Sequence, residues 1–186
     1  MKQKKLEIRA LSQLEESNDN IVEGYALKFN KESQDLGGFI ETIDPHALDN
    51  VDFSDVRAFL DHDSSKLLGR TSSKTLALNV DDVGLHFKLQ LPNTTVGRDA
   101  LELVKRGDLN QCSFGFTVLD NEWFDDGSGV LHRHITKIGK LFEISLVSIP
   151  AYEDTDVSVA SRSMEKALSE LEKKKLMLEL ELLELS

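Results

Sequence analysis

The chain has 186 residues and a formal net charge of −11, with 40% hydrophobic and 30% charged residues, a composition typical of a soluble globular domain with its own core. The acidic balance argues against direct binding of nucleic acid, which depends on Lys and Arg neutralising phosphates. No apolar run approaches the roughly 20 residues of a membrane span, and no apolar signal core follows the first lysines, so we expect neither a membrane span nor a secretory signal. The lone cysteine, Cys112, excludes an internal disulfide and a cysteine-rich metal site, and it favours a reducing compartment.

The first half of the chain has the pattern of short strands. Residues 6–10 alternate apolar and polar side chains, and 21–29, 39–43 and 56–60 are further strand candidates. Asp44-Pro45 predicts a short helical turn with Asp as its cap. Two more strands, 76–80 and 85–91, flank a turn over residues 81–84 and predict a hairpin.

The second half begins with a helix after Pro92. Asn93 or Thr94 is its predicted cap, and Gly107 is its predicted stop. Strands are then predicted over 111–119, 130–138 and 141–149. The fold class is α+β, a mainly antiparallel domain with few helices over residues 1–160.

Residues 161–186 are predicted to be a C-terminal amphipathic helix. Leucines recur at heptad spacing across 164–185, with Lys175 at one core position. The helix either packs on its own domain, or serves for self-association or docking to a partner helix.

Three short apolar segments that are predicted to be strand-like, Phe59–Asp63, Gln111–Phe116 and Leu141–Ala151, each contain one reactive side chain. His62 is a candidate base, Ser113 a candidate nucleophile and Glu143 a candidate carboxylate that orients the histidine. A serine acyl-transfer site needs these three groups. Each also has an ordinary interpretation: a surface histidine at a strand end, a satisfied strand hydroxyl, and a carboxylate paired with a structural Arg or Lys.

Neighbouring residues offer further candidates. Cys112 is the competing nucleophile, but strand alternation places it on the face opposite to Ser113. Gly115, inside a strand, indicates a bulge or a backbone N–H aimed at an oxyanion. Arg70 either pairs with Glu143 or a surface acid, or supports an oxyanion or a substrate carboxylate.

The pair His132 and His134 shares one strand face. With His62 it would form a three-histidine metal site, the basis of an alternative metal-hydrolase hypothesis, although no recognisable zinc spacing completes it. The pair is otherwise a solvent-facing edge, or one of the two is the third catalytic residue. We expect no metal and no cofactor.

Four motifs in this order resemble the tailed-phage prohead serine protease family. They are Gly24–Phe29, Leu60-Asp61-His62-Asp63 with Leu68-Gly69-Arg70, Cys112–Phe116, and Glu143–Ala151. The family is similar to herpesvirus assembly proteases, so the resemblance implies a compact β-barrel-like domain. It implies His62 as base, Ser113 as nucleophile and Glu143 as third member, with His134 as the alternative because the herpesvirus relatives use histidine there.

The resemblance also implies a function. The chain would be a serine endopeptidase inside the procapsid, in the host bacterial cytoplasm, that cuts scaffold or capsid-protein extensions and finally itself. The C-terminal helix would fit a tether into the procapsid. The alternative is a non-catalytic capsid assembly or scaffold module in which Ser113 is structural.

Overall fold

A computed structural model describes residues 7–17, 20–127, 129–148, 168–169 and 172–177, with side chains described from residue 20 onward. The described part has nine strands and one complete helix. In chain order these are β1 (Glu7–Ser17), β2 (Ile21–Lys28), β3 (Phe39–Ile43), β4 (Arg57–Leu60), β5 (Asp63–Arg70), β6 (Leu76–Val80), β7 (Gly84–Gln90), α1 (Thr95–Arg106), β8 (Gln111–Asp125) and β9 (Leu131–Val147).

All nine strands belong to one mixed sheet. Its order is β5-β4-β9-β8-β1-β2-β7-β6, and β3 pairs with the far end of β9. Most pairings are antiparallel, but β3 and β4 both run parallel to β9. The α+β, mainly antiparallel class is therefore confirmed.

The sheet curls without closing. Strands β5 and β6 are the two ends of the order, yet only residues 71–75 connect them, and the Thr75 N–H donates to the Arg70 carbonyl at 3.2 Å. Among the described strands no ladder joins β5 to β6. The expected barrel-like closure is thus not confirmed, because a hydrogen-bonded barrel needs its edge strands paired.

The helix has the ends that its sequence predicts. The Thr94 side chain accepts a hydrogen bond from the Gly97 N–H at 3.2 Å, and Gly107 ends the helix with φ 79°. A left-handed residue at this position allows the Gly107 N–H to reach carbonyls of the last turn, and glycine adopts it at little cost. Buried Ala100 faces the core.

The core contains apolar side chains from both halves of the sheet. Phe87 and Leu89 on β7, Phe114 on β8 and Ile144 on β9 are all fully buried in one cluster. Phe114 stacks on Phe116 with ring centroids 5.0 Å apart. Alternation along β8 and β9 therefore leaves Ser113 and Glu143 on the face opposite to this core.

Two local predictions are wrong. Residues 130–149 were expected to form two strands, but β9 continues across Gly139 as a single strand because the long β8 pairs along its whole length. The segment Asp61-His62-Asp63 was expected to lie within a strand. Instead Asp61 and His62 form a two-residue hairpin turn between the paired residues Leu60 and Asp63.

The C-terminal prediction falls mostly outside the described residues. Residues 168–169 and 172–177 are helical, and Leu168, Leu176 and Met177 are exposed. The heptad seam and the boundary between residues 160 and 161 stay predictions. Within the described ranges, no helix is long and apolar enough to cross a membrane.

Candidate active site

The imidazole of His62 contacts the carboxyl group of Glu143. His62 Nδ1 lies 2.7 Å from Glu143 Oε1, with the two side chains 17% and 8% exposed. Because a carboxylate only accepts hydrogen bonds, the ring donates from Nδ1. This tautomer leaves the lone pair on Nε2, which is the atom that a general base needs.

The second oxygen of Glu143 is also occupied. Ser145 Oγ donates to Glu143 Oε2 at 2.6 Å, and the Ser145 side chain is fully buried. Charge-assisted hydrogen bonds of this kind are short and comparatively strong. The two bonds together fix the carboxylate in one orientation toward the histidine.

Ser113 shares a sheet face with this pair. In the β8–β9 ladder Ser113 lies opposite Ser145, and Gly115 lies opposite Glu143. Opposed side chains on one face have Cβ atoms about 4.5–5.5 Å apart. The serine is therefore a direct neighbour of the Ser145–Glu143–His62 chain.

The serine and the histidine are not hydrogen-bonded to each other. Ser113 is fully buried, and His62 Nε2 is a buried atom with no hydrogen-bond partner among the described residues. Catalytic hydrogen bonds are often long or misaligned until substrate is bound.

Cys112 lies on the other face, as alternation predicts. It opposes Leu146 and belongs to the buried core. Burial raises the pKa of the Cys112 thiol far above its usual value, and the nearby Glu143 charge acts in the same direction. Because the thiolate is the nucleophilic form, this environment makes the cysteine unreactive.

Gly115 sits in the middle of the sheet with ladder partners on both sides, Ile8 on β1 and Glu143 on β9. A bulge lies next to it, but on the partner strand and not at the glycine: Gly115 pairs with Glu143 and Phe116 pairs with Leu141, so Phe142 is the extra residue on β9. A bulge redirects side chains locally. Here it brings Phe142 to the wall of a cleft beside Glu143.

Arg70 forms an ion pair with Asp55, together with Arg57, and does not contact Glu143. Its guanidinium donates to Asp55, and Arg57 donates to the other oxygen of Asp55 at 3.3 Å. The hydrogen bond from Arg70 holds the pKa of Asp55 below its usual value. The structure thus matches the surface-acid interpretation of Arg70.

The two other candidate histidines, His132 and His134, lie far along β9. His134 contacts Thr42 Oγ1 through Nδ1 at 2.9 Å and Asp44 Oδ2 through Nε2 at 3.3 Å. About nine strand residues separate it from Glu143, or about 30 Å at about 3.3 Å per residue. His132 contacts Asp126 and stacks on Phe124. The structure therefore brings neither histidine to His62, and the described residues contain no cluster of metal-ligating side chains.

A cleft of about 490 Å³ opens beside the His62–Glu143 pair, on the side of β4 and β5 and away from Ser113 on β8. Its lining is mostly apolar, with Phe59, Phe142 and the half-exposed Leu67, and it also includes Arg57 and Ser64. Phe59 and Leu60 are adjacent on β4, but their partners on β5, Leu67 and Asp63, are four residues apart. Strand β5 therefore bulges away from β4 at this point, and the cleft forms at the bulge.

Sequence reasoning missed two residues of this site. Ser145 follows Glu143 by two positions, and strand alternation alone places both on one face. In the sequence Asp61 is only one residue of the motif around His62, whereas in the structure it contacts the end of β9. A polar Asp-His pair between two short strands is a hairpin signal that could have been used, because both residue types tolerate positive φ.

A histidine paired with a carboxylate next to a serine on one sheet face has the composition of a serine hydrolase site. Residues 4–170 match the caudovirus prohead serine protease family, and the chain belongs to that family.

Two relatives bear on this assignment. The prohead protease of Escherichia phage T5 is 31% identical over 99 residues, which are 53% of this chain and 43% of that protein, so the match spans less than half of the relative. The structure of the bacteriophage T4 capsid assembly protease, gp21, has a similar fold, with a TM-score of 0.53 at 10% identity over 76% of this chain and 96% of that one.

Proposed function

We propose that the chain is a serine endopeptidase that acts in phage procapsid maturation through an acyl-enzyme. Its substrates would be scaffold segments or capsid-protein extensions, and finally the protease itself, inside the procapsid in the host cytoplasm. The observation that carries the proposal is the 2.7 Å His62–Glu143 pair on the same sheet face as Ser113. Family membership of residues 4–170 supports the same chemistry.

The chemistry assigns one role to each residue. His62 Nε2 takes the proton of Ser113 Oγ, which attacks the scissile carbonyl carbon. The imidazolium then gives this proton to the leaving amine, the C–N bond breaks and an acyl ester remains on Ser113. Water, deprotonated by His62, cleaves the ester and restores the hydroxyl. Glu143 holds the Nδ1–H tautomer and stabilises the charged ring during both steps.

The cleft beside His62 suits the side chain of a bound substrate. Its aromatic and aliphatic walls favour an apolar residue, and it lies on the β4–β5 side of the histidine while Ser113 lies on the β8 side. A substrate that fills the cleft would therefore pass across the imidazole.

The second surface that would contact other capsid components is the predicted C-terminal helix over residues 161–186. It would act as a tether that carries the protease into the procapsid.

The test is cleavage of co-expressed proteins. The full chain is produced together with candidate major capsid and scaffold proteins, and new N-termini are mapped by mass spectrometry. Ser113→Ala should abolish the new termini while the fold is kept, and Cys112→Ser, in the adjacent buried position, should retain them. Cleavage that persists in Ser113→Ala but stops on thiol alkylation would refute the serine assignment.

The alternative is a non-catalytic assembly module, and the full burial of Ser113 is the observation that favours it. A fluorophosphonate probe separates the two functions. Labelling that disappears in Ser113→Ala supports the protease, whereas absence of both labelling and cleavage in the presence of capsid proteins supports the assembly module.

A further inference from the structure

The position of His62 depends on a turn with unusual backbone geometry. Asp61 and His62 are the two central residues of the β4–β5 hairpin, with φ of 48° and 57°. Two positive φ values are the signature of a type I′ hairpin turn. In residues other than glycine such angles cost about 1–3 kcal/mol each and persist only where surrounding contacts hold them.

Asp61 makes three hydrogen bonds, one to Leu146 near the end of β9 and two to Ser148, the first residue after that strand. Its N–H donates to the Leu146 carbonyl at 2.9 Å. Its Oδ1 accepts from the Ser148 N–H at 3.0 Å and from Ser148 Oγ at 3.3 Å. These bonds extend the parallel pairing of β4 with β9, whose last pair is Leu60 with Leu146.

The strand that holds the turn also holds the carboxylate. Glu143 and Ser145 lie a few residues before Leu146 on β9, so Asp61 ties the hairpin tip to the strand that carries the partner of His62. We propose that Asp61 is a positioning residue of the active site: it fixes the hairpin tip so that the His62 ring meets Glu143. This inference rests on the proposed function, since it assigns how the base of that site is aligned.

Asp63, on the other side of His62, provides a matched comparison. Its carboxylate bonds to the N–H and hydroxyl of Ser65 at 2.9 and 2.6 Å and pairs with Lys66 at 3.3 Å. These contacts stay within β5. Asp61 and Asp63 therefore have the same side chain and the same distance in sequence from His62, but only Asp61 reaches β9.

The most informative variant is Asp61→Gly. Glycine adopts positive φ readily, so the turn is preserved, and the backbone bond to Leu146 can still form. Only the carboxylate tie to Ser148 is lost. Asp61→Asn should restore it, because the amide oxygen can accept the same two bonds and Asn tolerates the left-handed region.

The first readout needs no substrate. In full-length protein carrying Ser113→Ala to prevent self-cleavage, the proton shared by His62 Nδ1 and Glu143 should give a low-field ¹H resonance, assigned by its loss in His62→Gln. The other histidine–carboxylate contacts are longer, from 3.1 to 3.3 Å, so His62 should have the lowest-field signal. This signal should disappear or move upfield in Asp61→Gly, and persist in Asp61→Asn and Asp63→Ala.

The second readout is cleavage of the capsid or scaffold protein by the chain with Ser113 intact. The rate in Asp61→Gly should fall on the order of 10–10²-fold, the cost of a small misplacement of a reacting group. Asp61→Asn should recover most of it, and Asp63→Ala should stay close to the parent. An unchanged His62 resonance and an unchanged rate in Asp61→Gly would overturn the inference.

The melting temperature separates alignment from stability. If Asp61→Gly melts far below the parent and Asp61→Asn does not restore the resonance, the residue is only structural and the inference is refuted. Failure of the proposed function has a different signature: Ser113→Ala would then leave cleavage unchanged, whatever the His62 resonance does in the Asp61 variants.

Discussion

Glu143→Gln tests the role of the carboxylate with the smallest change of shape. Both partners of Glu143 donate to it, His62 through Nδ1 and Ser145 through its hydroxyl. An amide has one accepting and one donating end. The Ser145 hydroxyl can rotate to accept, so the amide oxygen should stay on His62 and the tautomer should be kept. The substitution then removes mainly the negative charge.

The loss can be estimated from the geometry. A contact of 2.7 Å between the nitrogen and the oxygen places the charge centres about 4 Å apart, where two unit charges attract by about 4 kcal/mol at an effective dielectric constant of about 20. About 1.36 kcal/mol corresponds to a tenfold change in rate, so kcat should fall by about three orders of magnitude. Replacing the carboxylate of a Ser-His-Asp triad by its amide lowers kcat by about 10⁴-fold when the histidine also takes the wrong tautomer, so a smaller loss is expected where the tautomer is kept.

The assay is single-turnover cleavage of the capsid or scaffold protein identified by co-expression. Glu102→Gln, on the exposed face of α1, makes the same chemical change far from the site and should be neutral. His134→Ala should be mild. A rate for Glu143→Gln within tenfold of the parent, at an unchanged melting temperature, would refute the reasoning, and a severe loss in His134→Ala would transfer the role to that histidine.

Four further outcomes are expected. Because burial raises the pKa of the Cys112 thiol, iodoacetamide should modify it only after unfolding, and rapid labelling of the native chain would contradict its placement in the core. Leu67→Ser should raise KM for substrates with an apolar side chain more than it lowers kcat; an effect on kcat alone would exclude the cleft as a binding site. Glu41→Gln removes the carboxylate that pairs with the buried Arg133 guanidinium at 3.0 Å and should lower the free energy of unfolding by about 1–3 kcal/mol, measured by denaturant titration, where an unchanged value would be inconsistent. A chain ending near Ser161 should keep the active site but enter procapsids poorly, and equal copy numbers of both forms per purified procapsid would show that the helix is not the tether.

Elements with local signals are predicted well from the sequence. Thr94 and Gly107 delimit α1 because capping and left-handed termination involve only neighbouring residues. The β6–β7 hairpin has a local signal too, since Asp81 Oδ1 accepts from the Val83 and Gly84 N–H groups within the turn. In both cases side chains or glycines inside the element itself indicate where it begins or ends.

Strand partners are not predictable in this way. Alternation identifies β3 and β4 as strands, but not that both lie parallel to β9, at its two opposite ends. The same limit applies to Arg70, whose partner Asp55 lies on the preceding segment and becomes adjacent only when β4 pairs with β5. Such contacts depend on the register of the whole sheet.

The candidate active-site residues are predicted in part: their identity follows from the sequence, but their contacts do not. Order and motif identify His62, Ser113 and Glu143 as candidates, and alternation separates Ser113 from Cys112. The turn that carries His62 has a local signal in the polar Asp61-His62 pair, but its alignment does not follow from that signal, because contacts to the end of β9 hold its two positive φ angles. Strand alternation does place Ser145 on the same face as Glu143. A role for their hydrogen bond can be proposed only after the contact between Glu143 and His62 is seen.

The placement of the three groups determines which of them can adjust to substrate. Ser113 lies on a central strand paired on both sides, with β1 and with β9, and Glu143 is held on β9 by Ser145. Both are therefore fixed by the sheet. His62 lies at the tip of a two-residue turn, and its Nε2 has no hydrogen-bond partner among the described residues. In the mechanism proposed above, the bond between Ser113 and His62 would then form mainly through small changes at this tip, and the contacts of Asp61 with the end of β9 would determine how the base is aligned.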